Sequence, residues 1–165
     1  MITEKYLLDA NIFIEAHRRY YAFDIAPKFW NELTANSAKG FIASIDKIKN
    51  ELLRGKDILS DWIKTDGFAV FHKVDDQATL AEYANLMQWA NTSDRFSDVA
   101  KAEFAQVADG WLVAYAKAND CIVVTQEVLE LNTRKKVKIP DACFHIGVEY
   151  IDTYTLLRRL EVQFN

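Results

Sequence analysis

The sequence Lys5-Tyr6-Leu7-Leu8-Asp9 decides the predicted fold, because it is a short apolar strand that ends in a carboxylate. The clearest further strand is 121–125, Cys-Ile-Val-Val-Thr, which is rich in β-branched residues and bounded by polar ones. Short apolar strands separated by helical segments indicate βαβ units and a parallel sheet. Ligand sites in such sheets lie beyond the carboxyl ends of the strands, so Asp9 is expected at the functional edge.

Outward from this strand, the chain alternates between helical and extended patterns. Helices are predicted over 11–21, 24–38, 45–54, 57–64, 77–90, 99–119 (with a break near Gly110), 141–147 and 153–160. Further strands are predicted over 40–43, 68–71 and 137–139. Asp24 and Ser44 belong to the residue types that favour helix N-caps, and we expect each to cap the helix that follows it.

The composition bounds the class of protein. The 165 residues suit one domain, 1–165, and half of them are hydrophobic, as in ordinary globular proteins. With 20 basic and 24 acidic residues, the formal net charge is −4. Nucleic acids are held mainly by Lys and Arg, so a chain of this charge would need local basic patches or bound cations to hold one.

The cysteines and the hydrophobic runs argue against a zinc-bound or disulfide-bonded protein and against a membrane or secreted one. Cys121 and Cys143 form no Cys/His ligand spacing, so neither a zinc site nor a disulfide framework is expected. No apolar stretch approaches the roughly 20 residues of a membrane span. Glu4 and Asp9 interrupt the N-terminal segment, which does not resemble a signal peptide. We therefore expect a cytoplasmic protein without a membrane segment.

Two acids follow predicted strands. Asp9 ends the first strand, and Asn11 can orient it or cap the next helix; Asp9 can equally be a helix cap. Glu127 follows the strand 121–125, in which Thr125 can hydrogen-bond a water, a phosphate or a neighbouring carboxylate. The alternative for Glu127 is a polar loop residue. Both acids are candidates for the functional edge of the sheet.

A third acid, Glu51, lies on a predicted helix. Ile48 and Leu52 belong to the apolar stripe of that helix, and Glu51 shares or borders the same face. A buried carboxylate without a partner is costly, so Glu51 needs a cation or a position at the rim. The alternative is an ion pair with Lys47 on the solvent side.

Two further acids have a helix cap as the competing interpretation. Asp109 lies in the apolar segment 104–113 and can cap a helix that begins at Gly110. Asp141 follows Pro140 and can cap the C-terminal helix, which is the interpretation favoured for it. Carboxylates that converge on one edge repel each other and raise each other's pKa, and a divalent cation removes that repulsion. Oxygen ligands without a Cys/His cluster favour Mg²⁺ or Mn²⁺.

The order of these acids resembles that of the PIN-domain family, whose members carry an early strand-ending Asp, a helical Glu, a helical Asp and an acid just past the fourth strand. The matching positions are Asp9, Glu51, Asp109 and Glu127, and the resemblance covers nearly the whole chain. It implies a three-layer α/β/α sandwich around a mainly parallel sheet of four to five strands. The family's fourth acid is commonly Asp, so either Glu127 or Asp141 completes the site.

The segments 44–52 and 138–143 resemble a prokaryotic PIN branch related to VapC-type toxins. This resemblance implies an endoribonuclease that depends on Mg²⁺ or Mn²⁺ and is the toxin of a toxin–antitoxin pair. The four acids would then be the catalytic metal ligands, with Asn11 and Thr125 in support. The partners implied are an RNA substrate and an antitoxin protein, with a homodimer left open.

Basic residues near the predicted edge are candidate RNA contacts. They are Arg134, Lys135 and Lys136 in the densest basic run, Arg18 and Arg19 before two tyrosines, and Arg54 and Lys56 after the Glu51 helix. Basic residues combined with aromatic rings suit phosphate contact and base stacking. The alternative for each is a solvated surface or a core contact.

Two other functions compete with the nuclease. A haloacid-dehalogenase-like or receiver-like domain would also place an Asp at a strand end for Mg²⁺-dependent phosphoryl transfer. The former needs an acid two residues after that Asp, where this chain has Asn11. A catalytically inert PIN-like interaction domain is the non-enzymatic alternative.

Overall fold

Five parallel strands form the central sheet in the computed structural model, which describes residues 4–164. The strands are β1 (Lys5–Leu8), β2 (Ile42–Ile45), β3 (Phe71–His72), β4 (Cys121–Val124) and β5 (Tyr150–Ile151). Their order is β3-β2-β1-β4-β5. Residues 1–3 and 165, the ends of the predicted domain 1–165, lie outside the described part.

Helices cover both faces of the sheet, which gives three layers, α/β/α. They are α1 (Ala10–Glu15), α2 (Pro27–Ala38), α3 (Asp46–Leu53), α4 (Ile58–Lys64), α5 (Gln77–Thr92), α6 (Asp98–Phe104), α7 (Asp109–Ala118), α8 (Ile139–Ile146) and α9 (Thr153–Arg159). The predicted fold class, a three-layer sandwich around a mainly parallel sheet, is confirmed.

The apolar strands form the centre of the core. Tyr6, Leu7 and Leu8 are at most 1% exposed, and all four residues of β4 are buried. Because helices cover both faces of the sheet, neither face contacts solvent. Its central strands are therefore continuously apolar and do not alternate between apolar and polar residues. Leu7 pairs with Val123 and Leu8 with Val124, which brings the ends of β1 and β4 together.

The sheet order reverses at β1. The chain extends from β1 to β2 and β3 on one side, then crosses to β4 and β5 on the other. In open parallel sheets, such a reversal leaves a crevice beyond the carboxyl ends of the two strands that flank it. Asp9 follows β1 and Thr125 follows β4, so both lie at that crevice.

The first predicted helix changes its winding. Residues 11–21 were expected to form one α-helix, but α1 ends at Glu15 and a π-helical turn continues from Ala16 to Tyr20. The amide of Tyr21 donates to the carbonyl of Ala16 over 2.8 Å, the five-residue spacing of a π-turn. A continuous helical pattern does not distinguish the two windings.

Two predicted helix caps are wrong. Helix α2 begins at Pro27 after Ala26, so Asp24 lies in the loop before it. Ser44 is buried within β2, which runs over 42–45 rather than 40–43, and its hydroxyl donates to the carbonyl of Leu8 over 2.7 Å. The glycine at 40 adopts a positive φ of 84° in the turn that precedes β2, which shifts the strand towards the C-terminus.

Three extended or helical segments also differ from the prediction. Residues 137–139 form no strand, because Ile139 begins α8 and Pro140 fits the first helical turn, where its missing N–H is not needed. The segment 68–71 is mostly a 3₁₀ turn, Phe68–Val70, followed by the two-residue strand β3. The strand β5 was not predicted, since two residues are too few to show a pattern. Across residues 4–164, the structure contains no helix with the length and apolar character needed to cross a membrane.

Candidate functional site

Asp9 is a buried carboxylate at the end of the central strand, 2% exposed. It occupies the N-cap position of α1 but makes no capping hydrogen bond there, so it does not serve as the helix cap that was its alternative. Its Oδ2 accepts a hydrogen bond of 3.1 Å from the Thr125 hydroxyl. The amide of Asp9 donates to the carbonyl of Val124 over 3.0 Å, which fixes the backbone against β4.

Thr125 joins the ends of the two strands. Its hydroxyl donates to Asp9 and accepts from the amide of Glu127 over 3.1 Å. Thr125 is itself buried, 2% exposed. The contact with a neighbouring carboxylate, which the sequence allowed for Thr125, is therefore formed, and it sets Asp9 and Glu127 at fixed positions around one hydroxyl.

Asp109 lies on the opposite side of this edge. It is the first residue of α7, and Ala108 takes the cap position, so the proposed cap at Asp109 for a helix from Gly110 is wrong by one residue. Burial raises the pKa of Asp109 to about 8, with further contributions from the charges of Asp9 and Glu127. Asp109 is half-buried, and the charge of Lys136 opposes the rise without cancelling it.

The same effects act on Asp9. Burial and, to a smaller extent, the charge of Glu127 raise its pKa to about 7. The Thr125 hydrogen bond and the charge of Lys136 oppose the change without cancelling it. Two neighbouring carboxyl groups with pKa values near neutrality are unusual, and groups perturbed in this way concentrate at functional sites.

Glu51 approaches the acids from α3. Its Oε1 accepts a hydrogen bond of 2.9 Å from the amide of Ala108, immediately before Asp109. Its charge contributes to the raised pKa of Asp109. The alternative pair with Lys47 is not formed: the Lys47 ammonium lies 4.5 Å from the centroid of the Trp111 ring. The apolar stripe of α3 thus turns Glu51 towards the edge of the sheet.

Glu127 is held firmly at the fourth position. Its Oε1 lies 3.1 Å from the ammonium of Lys136, and its Oε2 accepts from the amide of Ile139 over 2.9 Å. Its side chain is 12% exposed. Glu127 therefore contributes negative charge to the site while both of its oxygens are already bonded.

Lys136, a candidate RNA contact, also belongs to this site, and its side chain is 41% exposed. Its ammonium points inward to Glu127, close enough to Asp109 and Asp9 to affect their pKa values. Burial alone would lower the pKa of Lys136, but the charge and hydrogen bond of Glu127 outweigh that effect and raise it. Lys136 therefore stays protonated beside the acids.

Asp141 lies apart from this set, at the start of α8. Its Oδ1 is paired with Arg95 at 3.0 Å, and its Oδ2 accepts from the amide of Lys138 over 3.2 Å. The side chain is almost fully buried. Lys138 is the N-cap of α8, and Asp141, the third residue of the helix, bonds back to the amide of that cap rather than occupying the cap position itself.

Arg95 was missed by the sequence analysis. It donates from Nε to the carbonyl of Thr133 over 2.9 Å, from Nη2 to the carbonyl of Glu130, and from Nη1 to Asp141. Its guanidinium lies 4.7 Å from the centroid of the Phe96 ring. Arg95 thus fastens the loop that carries Glu127 and Lys136, and no local pattern around a single Arg could have indicated it.

The remaining candidates lie on the surface. Arg18, Arg54, Lys56 and Lys135 are exposed. Exposed Arg19 pairs with Glu15 at 3.4 Å, and exposed Arg134 donates to the carbonyl of Asp94. Asn11 is exposed and lines a cavity beside Glu127. Such surface contacts do not test RNA binding, so the six basic residues stay candidates for RNA contact, and Asn11 stays a candidate supporting residue.

The donor set can be tested for its fit to a divalent cation. Within residues 4–164, no three acidic, histidine or cysteine side chains are arranged closely enough to enclose a metal ion. Glu51 and Glu127 are occupied by hydrogen bonds from the protein. Asp9, which is buried, and Asp109, which is half-buried, nevertheless fit such an ion, because they are oxygen donors whose charges repel each other. Glu51 affects the pKa of Asp109 and would have to move from the Ala108 amide to join them.

The fold places the chain among PIN-like proteins. FitAcB from Neisseria gonorrhoeae shares 18% identity with a TM-score of 0.55, covering 90% of this chain and 98% of its own. VapBC2 from Rickettsia felis, bound to a DNA fragment from its promoter, shares 14% with a TM-score of 0.52, covering 89% and 97%. VapBC-1 from nontypeable Haemophilus influenzae shares 14% with a TM-score of 0.50, covering 89% and 96%.

Sequence comparison defines the family more narrowly. A family model described as "Domain of unknown function (DUF4411)" matches residues 6–164, and the chain belongs to that PIN-like family. A search of curated protein sequences finds no match. The predicted resemblance to PIN domains is thereby confirmed, and at these identities the solved structures establish the fold alone.

Proposed function

We propose that the protein is a metal-dependent endoribonuclease that hydrolyses phosphodiester bonds of RNA. One observation carries the proposal: buried Asp9 and half-buried Asp109 lie close enough at the carboxyl edge of a PIN-like sheet to interact electrostatically, with pKa values raised to about 7 and about 8. Carboxylates brought together at this cost are ready to exchange protons for a divalent cation. Their position matches the crevice where parallel sheets bind ligands.

Asp9, Asp109 and Glu51 are the residues that would hold Mg²⁺ or Mn²⁺. When bound, such an ion supplies a more acidic water and charge stabilisation for a phosphodiester. Thr125 fixes the orientation of Asp9 through its hydroxyl. The Ala108 amide restrains Glu51 beside Asp109 until a cation competes for it. The chain's own role in this proposal is to hold Asp9 and Asp109 at the edge of the sheet, with Glu51 near Asp109.

Lys136 and Glu127 have a different role in this scheme. Lys136 holds a protonated ammonium beside the acids, where it can neutralise charge on a phosphate group. Glu127 keeps that ammonium in place and accepts from the Ile139 amide. We propose that Glu127 serves the site by positioning Lys136. This role would explain the longer Glu at a position where the family commonly has Asp.

The fold neighbours support a proposal for the biological setting. They are FitAcB, VapBC-1 and VapBC2, and VapBC2 was solved bound to a DNA fragment from its promoter. We propose that this chain likewise acts in the cytoplasm as the toxin of a toxin–antitoxin pair. Expression of the chain alone would then arrest growth, and expression of Asp9→Asn would not.

The nuclease itself is tested with purified protein, Mn²⁺ and single-stranded RNA. We expect cleavage by the wild type and a loss of at least about 100-fold in Asp9→Asn and Asp109→Asn, since each removes a proposed metal ligand. Asp66→Asn, which removes an exposed carboxylate, is the matched control and should cleave normally. Full activity in Asp9→Asn would refute the site, and release of phosphate from phosphomonoesters would favour phosphoryl transfer instead.

A further inference from the structure

A cavity of about 430 Å³ opens beside the acids and is not used by the function proposed above. Its lining residues are Asn11, Glu15, Tyr20, Gln126, Glu127 and Tyr154. Glu127 belongs both to this cavity and to the acid site, so whatever occupies the cavity lies next to the position of the reacting phosphodiester. The volume is within the range of small-molecule pockets.

The π-helical turn creates one wall of this cavity. Asn11 and Glu15 are four residues apart, and Tyr20 follows five residues after Glu15. In an α-helix the five-residue step would rotate Tyr20 away from the other two, whereas the π-turn over Ala16–Tyr20 lets residues five apart share a face. Such turns are frequent at functional sites, and this one delivers an aromatic ring to the cavity.

The two tyrosines of the wall are unusually open to solvent. Tyr20 is 51% exposed and Tyr154 is 44% exposed, and their rings meet edge to face with centroids 6.5 Å apart. By contrast, the neighbouring Tyr21 is stacked on Phe29 at 4.4 Å as part of the core. Exposed rings beside a cavity offer faces for stacking, which core aromatics do not.

The polar residues of the cavity determine which part of a nucleotide fits. Glu15 and Glu127 line the wall while paired with Arg19 and Lys136, and the lining residues include no Lys or Arg that would attract a phosphate. Gln126 is oriented by a hydrogen bond of 3.0 Å from its Nε2 to the hydroxyl of Thr153. Side-chain amides such as those of Gln126 and Asn11 pair with the edges of bases. An uncharged, planar, hydrogen-bonding group is therefore the favoured occupant.

We infer that this cavity binds one unpaired nucleobase of the RNA, that of a nucleotide next to the bond being cleaved. Tyr20 and Tyr154 supply stacking, and Gln126 and Asn11 supply hydrogen bonds. The inference rests on the proposed nuclease function and adds the substrate feature that the acids alone do not define. An unstacked base is available in single-stranded RNA and not within a duplex, so the cavity selects single strands.

The test is a double-mutant cycle between protein and RNA. The substrate is a short single-stranded RNA with a mapped cleavage site and an abasic replacement at each flanking position in turn. Stacking on an aromatic ring is worth about 1–3 kcal/mol, so Tyr154→Leu should lower kcat/KM roughly tenfold. In the wild type, an abasic replacement at one of the flanking positions should lower kcat/KM by a similar factor. In Tyr154→Leu the same replacement should cause no further loss. Tyr20→Leu should behave in the same way.

Matched variants separate stacking from general damage. Tyr154→Phe keeps the ring and should recover the activity that Tyr154→Leu loses. Phe144→Leu removes another exposed ring, 72% exposed on α8, and should also be neutral. Additive losses at every abasic position, or normal cleavage by both Tyr→Leu variants, would overturn the inference.

A second measurement distinguishes this inference from the nuclease proposal. Adenosine monophosphate is titrated into the wild type and Tyr154→Leu, and the ring signals of Tyr20 and Tyr154 are followed by NMR. Chemical-shift changes that are confined to these rings and become smaller in Tyr154→Leu would support nucleobase binding in the cavity, even if RNA is not cleaved. If RNA is cleaved but neither ring responds to the nucleotide, the inference fails while the nuclease stands.

Discussion

Asp9 and Asp109 make the stability of the metal-free protein depend on pH. Their folded pKa values, about 7 and about 8, lie above the roughly 4 of an unfolded Asp. Between these values the folded chain binds more protons than the unfolded chain, so stability falls as pH rises. Each pKa unit corresponds to about 1.4 kcal/mol, which the coupling of the two groups will reduce.

We therefore predict that, in EDTA, the free energy of unfolding decreases from pH 5 to pH 8. Asp109→Asn should flatten this dependence and stabilise the protein at pH 8, because it removes a charge that burial penalises. Urea denaturation at both pH values measures the change, with Asp66→Asn as the control. A wild-type stability that rises over this interval would show that the two carboxyl groups are well solvated.

Lys136 yields a second prediction at the scale of single residues. Its ammonium lowers the pKa values of Asp9 and Asp109, so Lys136→Met should raise both. The acid limb of the pH–rate profile for RNA cleavage should then move to higher pH, because the carboxylates must ionise to hold a cation. Lys135→Met, at the neighbouring exposed position, should leave the profile unchanged. An acid limb that stays at the same pH in Lys136→Met would mean that the Lys136 ammonium of the wild type lies away from the acids.

At the scale of elements, the loop between β4 and α8 carries two residues of the site, Glu127 and Lys136. Arg95 fastens this loop at Thr133, Glu130 and Asp141. Removal of its guanidinium would leave Asp141 buried and without its cation, which is strongly destabilising in fully buried pairs. Arg95 is itself 25% exposed, so solvent reduces that cost here.

We predict that Arg95→Met destabilises the fold by about 2 kcal/mol and lowers cleavage further than stability alone explains. Arg95→Lys should recover little, since an ammonium cannot bond three acceptors in a planar fork. Arg134→Met removes an exposed side chain with one bond to the backbone of Asp94 and is the control. Urea denaturation and cleavage rates of the folded variants give the two readouts, and wild-type values for Arg95→Met would mean that the loop is held by other contacts.

At the scale of the whole molecule, metal binding should be visible as stability. A cation that binds only the native state at 100 times its Kd adds about 2.7 kcal/mol, which raises the Tm of a chain this size by roughly 5 to 10 °C. We predict such a rise with Mn²⁺ at pH 7.5 for the wild type, and little or none for Asp9→Asn. A thermal melt measures it. An unchanged Tm in the wild type would favour an inert interaction domain over an enzyme.

The sequence pattern predicted the features that depend on residues close together in the chain. The apolar runs of β1 and β4 predicted buried parallel strands, and the stripe of Ile48 and Leu52 predicted that Glu51 shares or borders the buried face of its helix. The strand-ending position of Asp9 predicted its place at the edge of the sheet. Elements of two residues, such as β3 and β5, carry too little pattern to be predicted reliably.

Long-range packing decided the rest. The hydrogen bonds from Ala108 to Glu51 and from Thr125 to Asp9 join residues 57 and 116 positions apart. The inward turn of Lys136 and the clamp of Arg95 on Asp141 also depend on where the β4–α8 loop lies. The sequence by itself determined which residues carry charge and on which elements they lie, because hydrophobic periodicity is a local property. Only the tertiary structure decided which charges meet, because the order of strands in the sheet brings distant segments together.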